Sequence, residues 1–431
     1  MRILIAMVCS LLPLVAHAAV TVEKTRVGHG VSAWYVESDA VPVVHVVLSF
    51  EGAGSVSDPT GKAGRAALAA AMLNEGAGPY SSVHFQQALE DKAIEMSADA
   101  SDDRLTIHIH ALREQAVEAG KLVALALSQP HFAPNDLARV KDQTRSLLAR
   151  LEETPNYRAA RRLQEVAFEG HPYASPHYGT AQRIAAITEQ DLHDYIKTYV
   201  ARQNLLVTAA GDVDSSLLDD MLRPITNALG TSDAGNQPVS RVGMQGAGSE
   251  VRVGMKVPQT VVLFAAPAIA RDDPRFYAYY LMNEILGANG LTARLGEAVR
   301  QKKGLVYGIN TGIDERSGAS LLLGRMATRN ERAEEAIATV KNTLEEFALR
   351  GASAQECEDA RAHVIGGFPL QLDSTRDSAG VLMMMRIHQL GDDYLTERVE
   401  KFRAVRCGDI NALAAELLRP GRFLFVTAGA P

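Results

Sequence analysis

Two short segments lying far apart in the chain are near copies of each other. Asn204-Leu205-Leu206-Val207-Thr208-Ala209-Ala210-Gly211 and Arg422-Phe423-Leu424-Phe425-Val426-Thr427-Ala428-Gly429 both run from apolar and β-branched residues into a small-residue turn. Each follows a helix-opening stretch, Glu189-Gln190-Asp191-Leu192 in one case and Cys407-Gly408-Asp409-Ile410 in the other. A repeated helix-then-strand order points to duplication. With 431 residues the chain is also too long for one hydrophobic core. Two similar domains are therefore expected, at 19–228 and 251–431. The stretch between them, 229–250, is rich in Gly, Ser, Asn and Gln without apolar periodicity and reads as a loose, exposed connector.

Each half opens with strand patterns, at 20–27 and 43–50 in the first and at 251–255 and 260–264 in the second. Helices are expected at 64–73, 84–93 and 274–286, and the alternation Arg104-Leu105-Thr106-Ile107-His108-Ile109-His110 predicts a further strand. Helix and strand patterns mix without regular β-α alternation. That predicts an α+β fold rather than a doubly wound sheet.

The net charge of −7 is mild and both signs are interspersed, so neither a nucleic-acid face nor a polybasic membrane patch is expected. Arg2, the apolar run 3–15 and Ala16-His17-Ala18 read as a secretory signal peptide, 1–18, cut after Ala18. The run is shorter than the roughly 20 residues of a membrane span, no cysteine follows for lipid attachment, and no membrane insertion is expected. Cys9 leaves with the leader. Cys357 and Cys407 remain, and their spacing leaves a disulfide and two free thiols equally open.

The stretch from Gly64 to Gly76 contains the helix-forming run Arg65-Ala66-Ala67-Leu68-Ala69-Ala70-Ala71-Met72. Its frame of Gly64, Ala66, Met72 and Gly76 resembles the setting of the inverted zincin motif H-x-x-E-H of the insulinase/pitrilysin/mitochondrial-processing peptidases. In that alignment the two histidine positions fall on Ala67 and Ala71 and the glutamate position on Ala70. Zinc needs imidazole or carboxylate lone pairs, and hydrolysis needs a base beside the bound water. Alanine supplies neither. The family's third ligand, a glutamate, aligns at or beside Leu147, while Glu152 and Glu153 fall out of phase and read as a solvated acidic turn.

A second block resembles the same family. Leu286-Gly287-Ala288-Asn289-Gly290-Leu291-Thr292-Ala293-Arg294-Leu295 leads into Arg300-Gln301-Lys302-Lys303-Gly304-Leu305-Val306-Tyr307. It is similar to the family's glycine-rich loop followed by R-x-x-x-G-L-x-Y, whose arginine and tyrosine bind substrate backbone opposite the zinc. Here Arg300 is expected to end a helix, Gly304 to cap it and Tyr307 to start the next strand. A guanidinium fork and a phenol on one side of that turn can hydrogen-bond a peptide carbonyl. Taken alone, the pair would read as a solvated cation and a half-buried strand residue; the intact signature around it favours substrate binding. Further matches are His171-Pro172-Tyr173 with Gly179, the run Gly366-Gly367-Phe368-Pro369-Leu370-Gln371-Leu372-Asp373-Ser374, and Leu390-Gly391-Asp392-Asp393-Tyr394-Leu395.

No other zinc spacing, G-x-S-x-G elbow or Walker loop occurs. His108 and His110 share a strand face but read as hydrogen-bonded or solvated. His171, His177 and His193 show no ligand spacing and read as structural or exposed.

The resemblance implies two homologous α/β-sandwich domains of the processing-peptidase type. It also implies a chain inactive by itself, with no metal or cofactor of its own. The implied role is the substrate-positioning subunit of a periplasmic two-chain metallopeptidase. Zinc and general base would lie on a homologous partner chain in a heterodimer or larger assembly, with peptide as substrate. A pseudopeptidase that binds peptides or serves as a scaffold, without a catalytic partner, is the alternative.

Overall fold

Two sheets built on one plan carry the molecule, and the plan is legible in their strand order. The structure, a computed structural model, describes residues 21–430; the expected leader and its cleavage point lie outside the described residues. The first half contains strands β1 (Glu23–Val27), β2 (Val31–Glu37) and β3 (Val43–Glu51), then helix α1 (Arg65–Met72) and the small hairpin β4 (Gly76–Ala77) and β5 (Tyr80–Ser81). Helix α2 (Ser82–Glu90), strands β6 (Glu95–Ala100) and β7 (Arg104–Leu112), and helices α3 (Ala116–Ser128), α4 (Pro134–Glu152) and α5 (Pro155–Ala167) follow. Helices α6 (Ala181–Ala186) and α7 (Glu189–Tyr199), strand β8 (Leu205–Gly211) and helix α8 (Ser215–Ala228) close it. The second half runs β9 (Glu250–Gly254), β10 (Gln259–Pro267), α9 (Phe276–Asn283), β11 (Val306–Glu315), β12 (Ser320–Arg329) and α10 (Ala333–Arg350). It ends with α11 (Ala354–Gly367), α12 (Thr375–Ile387), α13 (Tyr394–Ala404), α14 (Cys407–Leu417) and β13 (Leu424–Gly429).

Among the described residues the first sheet has the order β1-β2-β8-β3-β7-β6 and the second β9-β13-β10-β12-β11. Apart from β1 the two orders superimpose. In each, one pair is parallel (β2 with β8, β9 with β13) and the central strand is flanked by antiparallel neighbours. The expected class is met: two α+β sandwich domains. Strands β2, β4, β5, β6 and β12 are additions to the sequence reading. The expected helix 274–286 is split into α9 and a π-helical turn, Glu284–Ala288.

Strand β3 (VVHVVLSFE) is buried along nearly its whole length because both faces are covered. Val44, Val46, Leu48 and Phe50 enter the core shared with α1, α3 and α8. The opposite face meets α12, which belongs to the other half of the sequence: Val47 and Ala210 pack against Ala379 and Met383. The exchange is mutual. Helix α5 lays Ala159, Leu163 and Ala167 on the second sheet against Val261, Ala265, Leu424, Val426 and Ala428. These α5 positions recur every four residues, the spacing of one helix stripe.

The 229–250 segment is not the loose connector expected from its composition. The Val242 N–H donates to the Gly318 carbonyl (2.9 Å), Gln245 N–H to Ala167 (2.9 Å) and Gly248 N–H to Phe423 (3.0 Å). Val239, Val242 and Met244 pack beside α5. Scattered apolar residues without periodicity suffice here because backbone hydrogen bonds to both halves hold the segment at several points.

The His171-Pro172-Tyr173 step pins the halves together. The buried Tyr173 hydroxyl donates to Asp103 (2.6 Å) and accepts from the Gly318 N–H (2.9 Å), while the Ser317 N–H donates to the other Asp103 oxygen (2.8 Å). Arg316, in the same hairpin tip, pairs with Asp102 (2.7 Å) and lies over the Phe168 and Tyr173 rings. Cys357 and Cys407 form a disulfide, their Cα atoms 5.7 Å apart, which joins the first turns of α11 and α14. Closing a loop with a sequence separation of 50 removes chain entropy worth about 4 kcal/mol.

Candidate functional site

The helix α1 keeps its setting in detail. Gly64 sits at φ 93°, a conformation that favours glycine, and a Cβ there would collide with the Tyr178 backbone. The Asp58 carboxylate accepts from the N–H groups of Gly64 (2.7 Å) and Ala66 (2.9 Å) and so caps the first turn. Burial pushes Asp58 up to about 6, against those bonds and the nearby Arg65. Gly179 packs its backbone against Ala63, which explains its place downstream of the His-Pro-Tyr step.

On this helix Ala71 is exposed, Ala67 half-buried and Ala70 buried. The neighbouring α4 packs on α1 and carries a half-buried Leu147. Four hydrocarbon side chains thus occupy the positions that the alignment gives to the ligands and base. None has a lone pair, so the residues present do not fit zinc. Among the described residues no group of three or more His, Cys, Asp or Glu could hold a metal. Glu152 is engaged with Arg158 (3.2 Å) and Arg161 (3.7 Å). Glu75, one turn beyond the helix, accepts from Ser82 (2.6 Å) and pairs with Arg139.

The histidines singled out by sequence have structural surroundings. His108 lies beside the buried His45 (3.4 Å), and burial lowers both, His45 to about 4. His110 stacks at a tilt on His45. His171 bonds Ser240 (3.1 Å), His177 lies 4.0 Å from Asp102, and His193 packs on Phe132.

The second block is held tightly by its glycines and one arginine. A Cβ on Gly287 would strike Thr311, whose hydroxyl donates to the buried Asn283 amide oxygen (2.6 Å). A Cβ on Gly296 would run into the Gly290 carbonyl. Arg294 does not face the cavity: it clasps Glu356 (2.6 and 2.9 Å) and the Gly351 carbonyl (2.8 Å) and lies over Phe347. That clasp holds Glu356 down at about 2.

Arg300 lies in the last turn of a π-helical segment, Gly296–Lys302. Gly304, at φ 58°, accommodates the reversal, with its N–H on the Arg300 carbonyl (2.9 Å) and the Leu305 N–H on that of Val299 (3.0 Å). Tyr307 then stands on β11, 90% exposed rather than half-buried. The turn brings the two side chains together, with the guanidinium 5.1 Å from the ring centroid. Both line a cavity of about 910 Å³, together with Leu291, Gly304, Gly308 and Asn310. Arg325 and Arg329 of β12 line it as well. Sequence reasoning missed these two arginines because no motif contains them; only the pairing of β12 with β11 carries them there.

Two profiles of one peptidase family cover most of the chain. That described as "Insulinase (Peptidase family M16)" matches residues 35–181, and "Peptidase M16 inactive domain" matches 186–364. The chain is 29% identical over 340 residues to the "Non-peptidase homolog YmxG" of Helicobacter pylori, covering 78% of this chain and 77% of that one. It is 23% identical to an uncharacterized zinc protease of Mycobacterium bovis, over 89% of this chain and 88% of the other. A crystal structure described as a peptidase M16 inactive domain from Pseudomonas fluorescens aligns with a TM-score of 0.87 and 26% identity. It covers 95% of this chain and 98% of its own. A Helicobacter pylori protease, 18% identical with a TM-score of 0.84, shares the fold over 95% of this chain and 99% of its own.

Proposed function

Because the chain belongs to the insulinase family of peptidases, as a member without the zinc-binding residues, we propose that it is the substrate-positioning subunit of a two-chain zinc metallopeptidase. One observation carries the reading: the motif erased and the motif kept are different halves of one catalytic apparatus. The zinc helix α1 retains its glycine frame and cap but presents methyl groups at Ala67, Ala70 and Ala71. Arg300 and Tyr307 retain their geometry, solvent access and cavity. A homologous partner with the intact motif would supply zinc and base, which activate the attacking water. This chain's part is to bind and orient. The Arg300 guanidinium and Tyr307 hydroxyl donate hydrogen bonds to a peptide carbonyl, holding the scissile bond in register for chemistry performed across the interface. Export to the periplasm belongs to the same proposal. The leader-like segment 1–18 supports it, as does the Cys357–Cys407 bridge, a bond characteristic of oxidising compartments.

The test is affinity capture of the tagged chain from a periplasmic extract, followed by peptide hydrolysis assays on the recovered complex. A stoichiometric homologue carrying H-x-x-E-H is expected. Arg300→Ala should then lower kcat/KM by about 10- to 100-fold while leaving assembly intact. Recovery of the chain without such a partner would favour a peptide-binding or scaffold role, and unchanged turnover in Arg300→Ala would remove the clamp assignment.

A further inference from the structure

The cavity beside the Arg300–Tyr307 pair has a charge that a backbone clamp does not require. Three guanidinium groups, Arg300, Arg325 and Arg329, line it, and among the described residues no aspartate or glutamate does. Elsewhere in the same domain arginines are matched by carboxylates: Arg271 with Glu315, Arg294 with Glu356, and Arg332 with Glu335. Among the described residues, Arg300 has the Tyr307 ring beside it and no ion pair, and the exposed Arg325 has no ion pair either. Arg329 has Glu331 at 3.5 Å, an exposed and solvent-screened contact. The cavity therefore gathers positive charge that the fold compensates only by the screened Arg329–Glu331 contact.

The site is also open where a bound chain would enter. β11 is the edge strand of its sheet, and its register with β12 skips between Val306 and Ile309, which takes Tyr307 and Gly308 out of the ladder. A Cβ on Gly308 would meet nothing within this protein, so its own packing does not demand the glycine. Leu291, 46% exposed, adds an apolar wall. An extended peptide can thus approach the Arg300–Tyr307 pair with a side chain or terminus directed toward Arg325 and Arg329.

Resting on the peptide-binding reading above, we propose that Arg325 and Arg329 form an anion subsite that selects peptides bearing a carboxylate next to the clamped segment. An Arg–carboxylate pair is directional and bidentate, and three like charges whose one counter-ion, Glu331, is exposed and screened gain most from an anionic ligand. The carboxylate could belong to an acidic side chain or to a free C-terminus, and the chemistry is the same.

The probes are fluorescein-labelled decapeptides of one Gly/Ala/Ser background, carrying two glutamates or two glutamines, each as C-terminal acid and as amide. Binding to the full mature chain is measured by fluorescence anisotropy at low and high salt. The glutamate peptides should bind about 10-fold more tightly than the glutamine peptides at low salt, with the preference shrinking at high salt. Persistence in the amide forms assigns an acidic side chain, whereas a preference only for the acid forms assigns a C-terminus. Arg325→Glu should reverse the preference toward a lysine-containing peptide without moving the thermal midpoint, because the side chain is exposed. Arg329→Gln should weaken the preference in the same direction. Equal binding of all peptides would overturn the anion subsite and leave the clamp reading standing. No binding of any peptide would overturn both.

Discussion

Helices α5 and α12 do the same topological job, each crossing from its own half to lay apolar side chains on the other half's sheet, yet α12 adds polar contacts to its apolar ones. The α5 contact is apolar: Ala159, Leu163 and Ala167 meet Val261, Leu424 and Val426. The α12 interface is laced with polar groups. The Thr208 hydroxyl donates to the Ala379 carbonyl (2.9 Å), and Arg386 donates to the carbonyls of Ser32 (2.6 Å) and Val207 (2.8 Å). Burial lowers Arg386 to about 10, and the buried His45 lies on the same sheet face. Dispersion and apolar burial are indifferent to pH, whereas buried polar contacts depend on protonation and on every partner being present. The α5 seam is therefore expected to be insensitive to pH, and the α12 seam to weaken on acidification.

The contrast can be attacked directly. Leu163→Ala, in the α5 seam, should destabilise the protein by about 2–5 kcal/mol in urea unfolding, because the cavity cannot refill. A loss under about 1 kcal/mol would mean that α5 is not tightly packed. Acidification should act on the other seam. Burial is the main cause that lowers His45 to about 4, with His108, Arg376 and His110 pushing the same way and Asp377 opposing. A histidine depressed in the folded state binds its proton more readily when unfolded, where its pKa is about 6.5. Its contribution is complete above about 6.5 and is lost as pH falls toward 4, by at most about 3 kcal/mol. The unfolding free energy of His45→Gln should vary less across that range; an identical profile would exclude His45 as the source. The smallest effect is expected from Thr208→Val, which removes the side-chain donor to the Ala379 carbonyl and should cost about 1 kcal/mol. A neutral outcome would show that this seam tolerates loss of a polar partner and would blunt the comparison.

Much of the candidate site was legible in the sequence because its parts are local. Gly64, the alanines at 67, 70 and 71 and Gly76 lie within four helical turns, and Arg300, Gly304 and Tyr307 within eight residues. Backbone geometry over such distances follows from residue type: glycine for positive φ at Gly64 and Gly304, alanine for a helix that can bind nothing. The duplication was equally readable, since a repeated element order survives in linear form. Tyr307 shows the boundary of this reasoning, as its place on a strand could be inferred but its exposure could not.

By itself, then, the amino-acid order determined that the chain has two like halves, that its zinc frame is empty of ligands and that its arginine–tyrosine turn is whole. Only the tertiary structure decided that Cys357 meets Cys407, that the 229–250 segment is anchored, that α5 and α12 change sides, and that Arg325 and Arg329 join Arg300 around one cavity. The physical reason is the range of the forces involved. Helix caps, turns and periodic stripes are written in neighbouring residues, whereas which apolar stripe finds which sheet is settled by burial between segments hundreds of residues apart. The residues of helix α12 do not say which sheet they cover; contact with the exposed face of the other half's sheet decides it.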